Sequence, residues 1–352
     1  MRLLAPAMFT LAFGTLAAAG ATVWAGHTFG QFEEVSAGGT LDPGACTPVV
    51  GIAGAGDIEP LPGTRSAFLG AFDRRAGAER GQVLLFDTSD PLDGDSWRDR
   101  TGGAPAAFVP SGLDLFETML PDGRALRRLF VVNLAGPEVI AFDVDAVGDL
   151  AVAERFQDPA LTSPNDVVAT GPRSFYVTND TLAGRTSLRG KADFLLGLKT
   201  GGVMRFDGSG WSVAADGLAF PNGLALSEDG GTLHVAEMRA KRLLRFARDP
   251  YTGALRRQGG TDLPSFPNNL SERDGAVLIG ALPQPMETSA YGEGLRDTAP
   301  SELLRVAPGG AVETVFRDPG RVLPGVTMGT RLGDLLLVGS RAADSFLMCE
   351  AG

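Results

Sequence analysis

The sequence is short of three things. It has two histidines and two cysteines in 352 residues, and its basic residues are outnumbered, 31 to 42, for a net charge of −11. Each shortage excludes a class of function. Two cysteines cannot build a Cys₄ or Cys₃His zinc centre, and two histidines leave no room for a histidine-rich metalloenzyme. A chain with a pI near 4.8 offers no basic face for a phosphate backbone, so nucleic acid is not an expected partner. No G-x-S-x-G elbow signals a hydrolase nucleophile, and glycine runs such as GAGAG precede no helix that would cradle a phosphate. His234 lies inside a strand-like run, TLHVAE, and reads as a packed strand residue, not as the base of a triad. What the chain has in quantity is glycine (48) and proline (23), the punctuation of many short elements.

Residues 1–25 carry a single charge, Arg2, and are otherwise apolar or small. This segment reads as an export signal, with a small-residue cleavage site near Ala19, or as a retained membrane anchor. Either reading places the body outside the cytoplasm and allows membrane association through residues 1–25. In an oxidising compartment Cys46 and Cys349, near opposite ends of the remaining chain, read as one bridge joining the ends of the fold; two buried free thiols are the alternative. Residues 26–45 read as a linker and residues 46–352 as the folded body.

Beyond residue 30 no long amphipathic helix is evident. Short β-type runs follow one another instead: GQVLLFD, RLFVVN, EVIAFDVD, SFYVTND, GGVMRFDG, TLHVAE, AVLIGA, DLLLVGS, SFLMCE. Ahead of each strand pair stands a small or polar cluster, at Asp57, Ser111, Asn165, Asn222, Asn269 and Gly325, spaced 54, 54, 57, 47 and 56 residues apart. Six such repeats of short strands predict an all-β fold, a six-bladed β-propeller; a pair of β-sandwiches is the less regular alternative. In a propeller the inner strands converge on the axis, so the six clusters are expected to form a ring. That ring is rich in oxygen ligands: Asp57, Asn165, Asp166, Asn222, Asn268 and Asn269. Hard oxygen donors without imidazole or thiolate suit calcium. The plainer reading is that each Asn or Asp bonds its local backbone at a strand start.

These segments together resemble the serum paraoxonase/arylesterase family, within the gluconolactonase and strictosidine-synthase-like propellers. GAGDIEPLPG, FVPSGLDLF, SPNDVVATGPRSFYVTND, ADGLAFPNGLALSEDGGTLHVAE and SFLMCE follow in that family's order. The resemblance implies hydrolysis of lactones or aryl esters, a bridge between Cys46 and Cys349, and an N-terminal apolar segment often kept as an anchor. It also implies two calcium ions. The structural ion's ligands would correspond to Asp57, Asp166 and the carbonyl of Leu113. The catalytic ion's ligands would correspond to Gly56, Asn165, Asn222, Asn268 and Asn269, with Asn222 and Asn269 orienting ion and substrate. The chain departs from the pattern there. Gly56 stands where the family has glutamate, Asn268 where it has aspartate, and Ser111, Leu134 and Leu282 where it has channel histidines. Two anionic ligands have become neutral, and calcium affinity depends on ligand charge. Glu59, Asp114 and Asp180 are the acidic groups that could substitute. The expected function is a divergent calcium-dependent hydrolase with Asn222, Asn269 and Ser111 at the reacting centre. The alternative is a non-enzymatic propeller with a structural calcium that binds a small ligand or a protein partner.

Overall fold

The structure, a computed structural model, describes residues 22–94 and 97–350. Six four-stranded antiparallel sheets follow one another along the chain and close into a six-bladed propeller. Blades 1 to 5 comprise residues 55–99, 110–156, 164–218, 221–262 and 266–318. Blade 6 takes three strands from residues 326–350 and its outermost strand from the other end of the body, Cys46–Val50. That strand lies antiparallel to Ser345–Glu350, with Cys46 opposite Cys349, and the two cysteines are bridged. The clasp reads from the sequence and is present in the fold.

The middle strands are runs such as LFVVN and FYVTN because each blade is covered on both faces by its neighbours, so alternation with polar residues is lost. The core is accordingly divided into layers between blades. Between blades 2 and 3, Phe130, Phe156, Phe175 and Phe206 pack with Trp211, and centroids such as Phe156–Phe206 lie 4.9 Å apart. Between blades 6 and 1, Met328, Leu337 and Phe346 meet Ile58, Leu69 and Phe86. Each fully buried phenylalanine contributes roughly 1.5–3 kcal/mol of transfer free energy.

Every inner strand is irregular at its start. Its pairing with the second strand slips between Ala55 and Asp57, Pro110 and Leu113, Pro164 and Val167, Pro221 and Leu224, Pro267 and Leu270, and Val326 and Met328. These bulges coincide with the six clusters of the repeat. A bulge leaves a residue out of the ladder and re-aims its side chain, so successive residues there can face opposite ends of the channel.

The segment read as a linker packs on the propeller. Residues 22–28 are helical, and Phe29 is buried against Met238, Phe266 and Leu282. The Arg239 guanidinium lies 4.7 Å over the Phe29 ring, and Gln284 Nε2 donates to the carbonyls of Gly30 (2.9 Å) and Glu33 (2.8 Å). Residues 38–41 then bond along the outer strand of blade 5, Val312–Asp318. Among the described residues no helix is long and apolar enough to cross a membrane. Residues 1–21, most of the segment read as a leader or anchor, lie outside the described residues.

Candidate functional site

The bulges split the predicted ring into two levels. Asn165, Asn222, Asn268 and Asn269 line a cavity of about 540 Å³ at one mouth of the channel, together with Gly56, Ser111, Leu134 and Thr327. Asp57 and Asp166, next in sequence to Gly56 and Asn165, line a vestibule of about 1380 Å³ at the other mouth, with Leu113, Glu59 and Asp114. Of the proposed substitute acids, Glu59 and Asp114 therefore belong to the lower level. Asp180 belongs to the upper one, directly behind Asn165.

At the lower level the carboxylates bind neighbouring blades together. Asp57 accepts from the amides of Ile58 (3.2 Å) and, across the blade boundary, Leu113 (2.6 Å). Asp166 does the same with Val167 (2.8 Å) and Leu224 (2.6 Å), and Asp114 accepts from Ala169 (2.7 Å). Gly112 leaves the room this needs, since a Cβ there would sit 2.0 Å from Asp166 Oδ1. None of Asp57, Glu59, Asp114 and Asp166 forms an ion pair among the described residues. Burial raises all four, Asp57 and Asp114 to about 7, and mutual repulsion adds to the rise at Asp57, Glu59 and Asp166. An uncompensated group of this kind is a fitting place for a hard cation. Among the described residues, no three acidic, histidine or cysteine side chains converge tightly enough to hold a metal alone. A calcium ion here would need backbone carbonyls or water beside Asp57 and Asp166.

The upper level is built from amides. Asn269 Nδ2 donates to the Gly56 carbonyl (3.1 Å), which also accepts from Thr327 Oγ1 (3.0 Å), so blades 5 and 6 are tied to blade 1 at one oxygen. Asn165 Nδ2 donates to both oxygens of Asp180 (3.0 and 3.2 Å), and Asp180 pairs with Arg185 (2.8 Å). Burial raises Asp180 to about 6, against the lowering effect of Arg185. Asn222 Oδ1 is buried and has no partner. Three arginines complete the wall: Arg74, Arg185 and Arg341. Burial and the Arg341 and Arg185 charges lower Arg74 to about 9; burial and Arg185 also lower Arg341.

The arginines have no sequence motif. Arg74 and Arg185 fall in loops that, from their place between strands, are expected to overhang the ring, and Arg341 follows the second strand of blade 6. Their excess positive charge disagrees with a second calcium. The four amides supply neutral oxygens, Asp180 beside Asn165 is already paired with Arg185, the Asp57 carboxylate that Asn269 reaches belongs to the lower level, and a Cβ at Gly56 would lie 3.3 Å from Cα and Cβ of Arg341. The upper residues do not fit a divalent cation. Histidine is absent from both mouths: His234 sits within blade 4 opposite Ala225 and Arg245, and Leu282 packs under Phe29.

A disulfide-clasped propeller with a polar, two-level axial channel is the class of protein that fold and site define. Residues 107–351 match the arylesterase family model, and the chain belongs to the arylesterase family. It is 27% identical to rat serum paraoxonase/arylesterase 1, with 88% of this chain and 89% of that protein covered. It is 26% identical to human serum paraoxonase/lactonase 3, with 85% and 86% covered. Among solved structures it is similar in fold to a gluconolactonase from Xanthomonas campestris (TM-score 0.55, 17% identity, 87% of this chain and 89% of that one). It is similar likewise to the calcium-binding protein regucalcin from Agrobacterium tumefaciens (TM-score 0.55, 15% identity, 89% and 93%).

Proposed function

We propose that the chain is an exported hydrolase of lactones or aryl esters that works in the upper cavity. The family match across residues 107–351, which includes Asn165, Asn222, Asn268 and Asn269, carries this reading. The disulfide supports export, because such bonds persist in oxidising compartments. A substrate carbonyl in the cavity meets amide and guanidinium donors. These can stabilise the negative charge that develops when water attacks. Asn222 and Asn269 orient the ester, Asn165 holds Asp180 in place, and Ser111 offers a hydroxyl at the wall. No imidazole lines the cavity, and a positioned base is worth about 10²–10⁴-fold, so turnover is expected to be slow.

Calcium enters this reading at the lower level. Asp57 and Asp166, with the Leu113 carbonyl, would hold one ion that neutralises the buried carboxylates and fixes blades 1 to 4 about the axis. Its contribution is structural, and chelation lowers activity by loosening the ring. The test is a panel of lactones and aryl esters with purified protein, with and without a calcium chelator. Chelator-sensitive turnover of any member is the expected result, and no turnover of any member refutes the hydrolase.

A second reading is a ligand-binding propeller without turnover. The missing base and the neutral upper ring favour it. Small-molecule binding without turnover in the same panel would establish it.

A further inference from the structure

The two mouths of the channel have opposite electrical character. The lower vestibule gathers Asp57, Glu59, Asp114 and Asp166. The upper cavity gathers Arg74, Arg185 and Arg341, and among the described residues only Asp180 answers them with a direct ion pair, to Arg185. At Arg341 the fields of Asp180 and, more weakly, Glu293 are favourable, but neither carboxylate pairs with it directly. Arg75, the neighbour of Arg74, is engaged elsewhere, on the carbonyls of Tyr291 and Arg296. Arg74 and Arg341 have no ion-pair partner among the described residues, and Arg74 Nε is buried without a hydrogen bond. Among the described residues the Arg74 guanidinium meets one aromatic ring, Phe72, at 5.0 Å. Placing three guanidiniums in one enclosed wall is costly unless an anion joins them. In the same cavity lining, Asn222 Oδ1 is a buried acceptor that lacks a donor.

We propose that the upper cavity is an organic-anion site that takes a hydroxycarboxylate, its carboxylate on Arg74 and Arg341 and its hydroxyl donating to Asn222 Oδ1. The planar guanidinium fork matches a carboxylate with two parallel hydrogen bonds. The orphaned amide oxygen selects a ligand that also has a donor. Binding needs no turnover and no metal, so the inference stands apart from the hydrolase reading. If that reading also holds, a hydroxycarboxylate is what a lactone becomes on opening. The site then retains its own product, which competes with substrate for the cavity.

The test is isothermal titration calorimetry of the full exported chain, in chelator, with three probes of one length: 6-hydroxyhexanoate, hexanoate and 1,6-hexanediol. The expected order is 6-hydroxyhexanoate tightest, hexanoate about tenfold weaker, and the diol undetectable. Arg341→Gln and Arg74→Gln each weaken 6-hydroxyhexanoate at least tenfold. Arg74→Lys, which keeps the charge but loses the fork, falls between. Arg305→Gln, at the opposite mouth, changes nothing. Melting curves confirm that each variant is folded, and Arg74→Lys serves if a glutamine variant is not. Binding also weakens as salt rises. Diol binding equal to that of the acid, no binding of either acid, unchanged affinity in Arg341→Gln and Arg74→Lys, or a requirement for calcium would each overturn the proposal. Turnover of a lactone without acid binding would leave the hydrolase standing and this inference refuted.

Discussion

Reducing the Cys46–Cys349 bridge should cost this protein more than any single side-chain deletion. The bridge closes 303 residues, and loop-closure entropy for that length corresponds to about 5.7 kcal/mol at 25 °C. The native state should barely notice the loss. Cys46 is held opposite Cys349 by a ladder running to Val50 opposite Ser345, with or without the sulfur bond. The effect therefore falls on the unfolded chain, which expands once the bridge is gone. Two observables follow: the urea midpoint drops, and the dependence of stability on urea steepens because more surface becomes exposed. The assay compares oxidised protein with the same protein in reductant, so no substitution disturbs the packing of Cys349 against Leu336 and Leu347. Tryptophan fluorescence and far-ultraviolet circular dichroism should be followed together. Coincident curves license a single free energy. A loss of about 4–6 kcal/mol with a steeper slope is expected. A loss below about 1 kcal/mol with an unchanged slope would refute the reasoning, since the ladder alone would then close the circle. Reduction should also impair the upper cavity, because Thr327 and Asn269 reach the Gly56 carbonyl only while blade 6 is held against blade 1.

Asp57→Asn and Asp166→Asn should each abolish the calcium-dependent rise in melting temperature. At a hundredfold excess over Kd that rise corresponds to about 2.7 kcal/mol in the parent, and an undiminished rise in both variants places the ion elsewhere. Burial and the Arg245 charge lower His234 to about 4 from 6.5, so the unfolded chain takes up a proton that the folded one refuses. Stability should fall by about 3 kcal/mol from this group as pH drops from 6.5 towards 4, and His234→Gln should flatten that part of a stability–pH curve. Phe175→Ala, in the aromatic layer between blades 2 and 3, should cost about 3–5 kcal/mol in urea unfolding.

The blade count was legible because each blade begins with the same backbone problem. A chain turning from an outer strand back to the axis needs residues that tolerate turns and bulges, and Gly, Pro, Asn and Asp mark those places six times. The clasp was legible because two cysteines near opposite ends of the folded body had few other uses. The split of the ring was not. Asn165 and Asp166 are neighbours in sequence, and only the bulge between Pro164 and Val167 decides that one faces each mouth. Residues 26–45 look like a connection because no periodicity runs through them, and they pack through single anchors such as the Phe29 ring and the Gly30 carbonyl that accepts from Gln284. The arginines escaped for a related reason. Arg74, Arg185 and Arg341 come from loops of three blades, and nothing local in any of them announces that they share a wall.

That shared wall alters what the neutral ring means. Taken alone, Gly56 and Asn268, standing where the resembled pattern has acidic ligands, would describe a calcium site in decay. Decay would remove charge without replacing it. Here the cavity that lacks the carboxylates holds three guanidiniums, while the carboxylates that remain, Asp57 and Asp166, lie at the level where they bridge blades. A Cβ at Gly56 would lie 3.3 Å from Cα and Cβ of Arg341, so any side chain at position 56 would press on this part of the wall. The upper wall thus presents a field that attracts a carboxylate where the resembled pattern would attract calcium.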